Sequence, residues 1–217
     1  MSLTIRQILA LRSISGVGKQ SILKVGNYRP QGIETAELPE VLSKCAVKKK
    51  NPEGKGKIPI TAEDINEALG AADEIIEKSY AHQIGILSYY DPEFPASLRE
   101  TKTEDGKRAD PPIILFYKGD LSTLNAPGLA IIGTRKNTIG AEKAGLYLST
   151  EFARRGFCIV SGLALGCDTI GHRGALKAGG KTIAFLAHGL DTIYPSQNKN
   201  LAQEIVQSGG LLLSEYD

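Results

Sequence analysis

From Ile84 onward the chain alternates short apolar runs with stretches long enough to be helices, and this alternation restricts the fold more than any other feature. The runs are IGILSYY, PIILFYKG, GLAIIGT, FCIVSG, KTIAFLAHG and GLLLSEY. Each has the composition of a buried strand bounded by turn residues. The last four are separated by segments of crossover length, and a strand, a crossover helix and a second strand make a parallel pair. The sequence therefore predicts an α/β fold, a mostly parallel sheet with helices on both faces.

In such a sheet, ligands bind outside the carboxyl ends of the strands, and right-handed crossovers bring successive loops to the same edge. The segments placed there are GTRKNT, SGLALGCD and HGLDTIYPSQN. The first follows a strand and opens a helix, the layout of a dinucleotide-binding turn, but Arg135 and Thr138 occupy the positions where the fingerprint needs further glycines. This argues against a pyrophosphate resting on bare backbone and for a phosphate held by a side chain. Gly133 allows a tight turn, Thr134 bonds a phosphate or caps the helix, and Arg135 offers a planar fork of donors. The alternative for Arg135 is an internal ion pair.

The second loop carries Ser161, Gly162 and Gly166 before a helix, so backbone N–H groups and a helix N-terminus point at the same edge. Close helix-to-sheet packing would also call for these glycines. Asp168 and His172, four residues apart on one helical face, are read as a local ion pair or cap, since two ligands without a third do not make a metal site. His188 either lines the cleft or terminates its strand, and Tyr194 either stacks on a base or packs the loop.

Residues 1–83 read as a helical region. Apolar residues at helical spacing flank Gly16-Val17-Gly18, a helix-hairpin-helix pattern in which the glycines make an αα turn or, alternatively, meet a phosphate. The run KKKNPEGKGK, residues 48–57, has five lysines and no apolar anchor, which predicts a mobile basic loop unnecessary for folding. Thr61 with Asp64 three residues on forms a cap for the long helix that follows.

Composition adds bounds. The chain of 217 residues, 41% hydrophobic and 23% charged, suits a soluble globular protein. Cys45, Cys158 and Cys167 are an odd number without metal-ligand spacing, so inert thiols in a reducing cytoplasm are expected, with no metal and no cofactor. No apolar run is long enough to span a membrane. A net charge of +2 does not decide for or against nucleic acid.

The ordered segments YYDPEFPASLRE, PPIILFYKGD, AIIGTRKNT, GFCIVSGLALGCDTIGHRGAL, GGKTIAFLAHGLDTIYPSQN and GGLLLSEY resemble the DNA-processing protein A (DprA, or Smf) family from Ile84 to Tyr216. The resemblance implies a Rossmann-like domain that binds single-stranded DNA, acts in natural transformation, helps load the RecA recombinase, and is not an enzyme. It also allows a homodimer. By position, Gly133, Thr134 and Arg135 correspond to the family's phosphate-binding turn, and Ser161, Gly162 and Gly166 to its second glycine loop. Members continue past LLSEY, so the domain spanning residues 84–217 is expected to be truncated at its carboxyl end. Two other classes stay in view: a nucleotide-binding sensor, and an enzyme resembling the phosphoribohydrolases, whose PGGxGTxxE motif is missing from this sequence.

Overall fold

Helix-forming and strand-forming segments separate along the chain as their periodicities require. The computed structural model describes residues 2–106 and 110–217. They divide into two units, Met1–Ala81 with Ile86–Ile114, and His82–Gly85 with Leu115–Asp217. Among the described residues no helix is long and apolar enough to cross a membrane.

The first unit opens with α1 (Ile5–Ser13) and α2 (Lys19–Tyr28) around the glycine turn, followed by α3 (Leu38–Lys44). Thr4 and Gln7 form a capping box on α1: the Gln7 N–H donates to Thr4 Oγ1 and the Thr4 N–H to Gln7 Oε1. Every residue from Gln7 to Leu11 of α1 is buried, and the helix packs against α4 (Ala62–Ala81), which buries Ile65, Ala68, Leu69 and Ala72. Thr61 and Asp64 cap α4 as the spacing predicts, the Thr61 N–H reaching Asp64 Oδ2 at 2.8 Å. Beyond α4 come β3 (Gly85–Ser88) and the short α5 (Ala96–Arg99). In the YYDPEF segment, the Arg99 guanidinium lies 5.6 Å from the Tyr89 ring centroid and 5.4 Å from that of Phe94.

The basic segment has more structure than its composition predicts. It folds into a hairpin of β1 (Lys49–Lys50) and β2 (Lys57–Ile58), paired antiparallel. Its base is tied down twice, by an ion pair of Lys49 with Asp64 and by the Lys50 N–H donating to Ser15 O at 2.8 Å. Both partners are distant in sequence, which is why composition alone reads the segment as a free loop.

The second unit is built on β4 (Ile114–Gly119), β5 (Gly128–Ala130), β6 (Cys158–Ser161), β7 (Thr182–Leu186) and β8 (Leu211–Ser214), in the order β4-β8-β7-β6-β5. The pairs from β5 through β8 are parallel and β4 runs antiparallel to β8. The crossovers are α6 (Ile139–Arg154), α7 (Cys167–Lys177) and α8 (Lys199–Gln207), with α6 against α7 and α7 against α8. This is the mostly parallel, helix-flanked sheet that the alternating pattern predicts. Ala153, Ile159 and Ala175 form a core with Leu129, Ile131 and Phe152 packed on it. Gly174 brings α6 and α7 together, since a Cβ there would lie 1.8 Å from Ser149 Oγ.

Asp64 serves α4 as cap partner and the hairpin as counter-ion at once. Asp64→Ala is expected to destabilise the first unit by about 1–2 kcal/mol, the cost of removing a helix cap. Urea titrations of the variant beside Thr61→Ala, which removes only the cap, check this; equal losses would show that the ion pair to Lys49 adds nothing.

Candidate nucleic-acid interface

The turn after β5 is shaped by local bonds before any ligand is considered. The Lys136 N–H donates to Thr134 Oγ1 at 3.2 Å, and Thr138 caps α6 by accepting from the Ala141 N–H at 3.2 Å. Thr134 therefore holds its own turn. Gly133 lies against α7, where a Cβ would sit 2.6 Å from Cys167 Sγ, and the Cys167 N–H donates to Thr134 O at 3.1 Å.

Gly166 locks the second loop onto the first. Its φ of 82° and ψ of −126° suit glycine alone, and a Cβ would stand 2.3 Å from Thr134 O and 2.7 Å from the Arg135 Cα. Two backbones thus meet without an intervening side chain, and the contact fixes where Arg135 begins.

The polar groups of the second loop are used inside the protein. Ser161 Oγ donates to Ile131 O at 2.6 Å, joining the ends of β6 and β5. The Gly162 and Ala164 N–H groups both donate to Asp168 Oδ2, at 3.1 and 3.2 Å. The sequence pattern aims these amides at an external anion, whereas here the nearly buried carboxylate of Asp168 occupies that position. A negatively charged residue in the first turn of α7 also suits the helix dipole. Ser161 and Gly162 shape the edge, and Asp168 accepts from the loop ahead of α7 and not from the helix's own N–H groups, so the helix cap read from its spacing is not formed. Asn198 ties in the third loop, its Nδ2 donating to Leu163 O at 2.8 Å and to Thr169 Oγ1 at 2.9 Å. Nothing in the sequence pattern marks Asn198, because its partners lie some thirty residues away in another crossover.

What remains open is a cleft lined by Arg135, Gly162, Ala164, Leu165, Ala187, His188, Tyr194 and Pro195, drawn from all three loops. Arg135 is exposed and has no carboxylate partner among the described residues. The internal ion pair weighed as its alternative is not formed. His188 both lines the cleft and organises its loop: Nδ1 donates to Gly189 O at 2.8 Å and Nε2 accepts from the Tyr194 N–H at 3.3 Å. Tyr194, followed by a cis peptide bond to Pro195, is 71% exposed on the cleft wall.

His172 takes no part in the cleft. It is fully buried beneath α7, and Thr182 Oγ1, which gives its one hydrogen to Ile159 O, accepts from Nδ1 at 2.7 Å. Burial holds its imidazole down at about 4, against the opposing pull of the Asp168 carboxylate, so the ring is neutral. Of the thiols, Cys45 and Cys158 are buried and Cys167 is partly covered; burial pushes Cys158 up to about 11. No cluster of three potential metal ligands occurs among the described residues.

The fold and the position of the cleft define an α/β domain of the kind that binds ligands at the carboxyl ends of its strands. Residues 85–217 match the family model for DNA recombination-mediator protein A, and the chain belongs to that family. It is 41% identical over 147 residues to Protein Smf of Synechocystis sp., a match covering 66% of this chain and 35% of that one. It is 44% identical over 111 residues to the DNA processing protein DprA of Streptococcus pneumoniae, covering 49% and 37%. The X-ray structure of DNA processing protein A from Streptococcus pneumoniae superposes with a TM-score of 0.71 at 31% identity, over 100% of this chain and 69% of that one. A structure describing the single-stranded DNA binding mode of DNA processing protein A from Helicobacter pylori superposes with a TM-score of 0.53 at 38% identity, over 62% and 56%. The matched stretches span about a third of the length of these curated relatives.

Two outcomes follow from this geometry. Gly166→Ala should cost at least about 1–3 kcal/mol from backbone strain alone and displace the Arg135 turn, measurable as a lowered urea midpoint. For His172, the unfolded ring protonates near pH 6.5 while the folded ring stays neutral to about pH 4. Its contribution to stability is complete above the first value and lost as pH falls toward the second, a span of about 3 kcal/mol. His172→Asn, which keeps a donor for Thr182, should flatten that part of the stability–pH curve; an unchanged slope between pH 6.5 and 4 would assign the acid sensitivity elsewhere.

Proposed function

We propose that the protein binds single-stranded DNA through its phosphate backbone in the cleft at the carboxyl edge of the sheet. The observation that carries this reading is Arg135: an exposed guanidinium, its backbone pinned by Gly166, facing a cleft with no carboxylate among its lining residues. Gly133, Thr134, Ser161, Gly162 and Gly166 build the loops around it, and the arginine makes the charged contact. Tyr194 offers one ring for a base to stack on. With one such ring and no tryptophan in the chain, binding leans on phosphates and carries little sequence preference. The described DNA-binding mode of the Helicobacter pylori protein supports the choice of ligand.

In this reading the protein works as a binder and not an enzyme. It serves DNA uptake in natural transformation and the loading of a RecA-type recombinase in the cytoplasm, alone or as a homodimer. Glycosidic cleavage in the manner of the phosphoribohydrolases would call for a placed glutamate, and the residues lining the cleft include no carboxylate.

A charge-assisted interaction of this kind contributes about 1.5–3 kcal/mol, so Arg135→Ala should weaken oligonucleotide binding about ten- to a hundredfold. The salt slope should also fall by about 0.7, because one phosphate is no longer neutralised by the protein. Lys136→Ala should cost less. A salt titration of single-stranded and duplex oligonucleotides, with thermal melts to verify folding, tests the reading. Unchanged affinity in a folded Arg135→Ala protein, or a strong preference for duplex, would remove it.

A further inference from the structure

The hairpin of the first unit places like charges where a hairpin ordinarily avoids them. In its two-residue ladder, Lys50 stands directly opposite Lys57, and both side chains are exposed. Directly opposed like charges destabilise a strand pair. Lys48 and Lys55, one on each side of the ladder, are exposed as well. None of these four lysines makes an ion pair among the described residues, while Lys49, between two of them, is paired with Asp64. Glu53 at the tip is the single acidic residue between Lys48 and Lys57.

The strand pair is also held at its base. The Lys49 to Asp64 ion pair and the Lys50 N–H to Ser15 O bond anchor β1, so Lys50 and Lys57 are displayed from a fixed position. A solvated tail would spread its charges apart. This hairpin holds two of them across one ladder rung, an arrangement relieved when anions neutralise both.

We propose that the β1–β2 hairpin is a second contact surface for the phosphate backbone of nucleic acid, with Lys50 and Lys57 each neutralising one phosphate and Lys48 and Lys55 adding to the field. The inference rests on the DNA-binding reading for the identity of the polyanion. It uses residues of the other unit and none of the cleft.

The test is a salt titration of single-stranded oligonucleotide affinity on the full chain, for wild type, Lys50→Gln/Lys57→Gln and Lys50→Arg/Lys57→Arg, each with and without Arg135→Ala. Glutamine keeps the carbons through Cγ, which matters because the Lys50 Cγ leans over Gly16. The glutamine pair should lower the salt slope by about 1.4, a loss on the order of fiftyfold at 50 mM salt if the curves converge near 1 M. Its melting temperature should hold or rise, since a repulsive pair is gone, and the arginine pair should retain the wild-type slope. A hairpin effect that persists in the Arg135→Ala background supports an independent surface. An unchanged slope in the glutamine pair while Arg135→Ala still weakens binding overturns the hairpin proposal and leaves the cleft standing. A hairpin effect with no Arg135 effect overturns the cleft alone. Equal losses in the glutamine and arginine pairs, or capture of wild type but not the glutamine pair by phosphatidylglycerol vesicles with no change in DNA slope, would also overturn the hairpin proposal.

Discussion

The cleft depends on one contact between backbones, Gly166 against the Thr134–Arg135 peptide. Any side chain at 166 would occupy the space of a carbonyl oxygen and of the arginine Cα. Because the contact is made by main chain on both sides, it leaves little freedom in where the Arg135 side chain starts. A cation on an ordinary loop would have to be ordered when a ligand arrives, and that ordering would be subtracted from affinity. Here much of the ordering is done by folding.

The same edge carries a glycine-containing loop whose amides are engaged from within the protein. Asp168 accepts from the Gly162 and Ala164 N–H groups, and Asn198 donates to the Leu163 carbonyl on the other side of the loop. Their backbone polarity is therefore satisfied from within, as buried or half-buried peptide groups require. The positive character of the cleft then comes from the Arg135 side chain, in contrast to a dinucleotide site, where a glycine-rich turn presents N–H groups directly. The exchange of glycine for arginine in the turn and the capture of the second loop by Asp168 are two sides of one design.

His172 and the lysine hairpin show where charge is excluded and where it is gathered. Beneath α7, burial keeps an imidazole neutral and joins it to Thr182 as part of the core. In the first unit, one lysine of the basic run is neutralised by Asp64 and its neighbours are left facing solvent. Chemically similar residues acquire opposite roles according to what packs around them.

The order of strands and crossover helices, the α4 cap at Thr61 and Asp64, and the gathering of three loops at one edge were legible in the sequence. They follow from local periodicity, from turn chemistry and from the handedness of crossovers, none of which needs distant partners. The ordered base of the 48–57 segment, the use of the Gly162 amide by Asp168 and the part played by Asn198 were not legible. Each depends on residues distant in sequence or on which way a side chain turns within a loop. Arg135 stands between the two cases: its place after a strand allowed two readings, a phosphate ligand or an internal ion-pair partner, and whether the ion pair forms turns on what lies within reach of the guanidinium. That was decided by tertiary structure, because a carboxylate forms an ion pair only if the fold brings it within a few ångströms, and a linear sequence does not carry that distance.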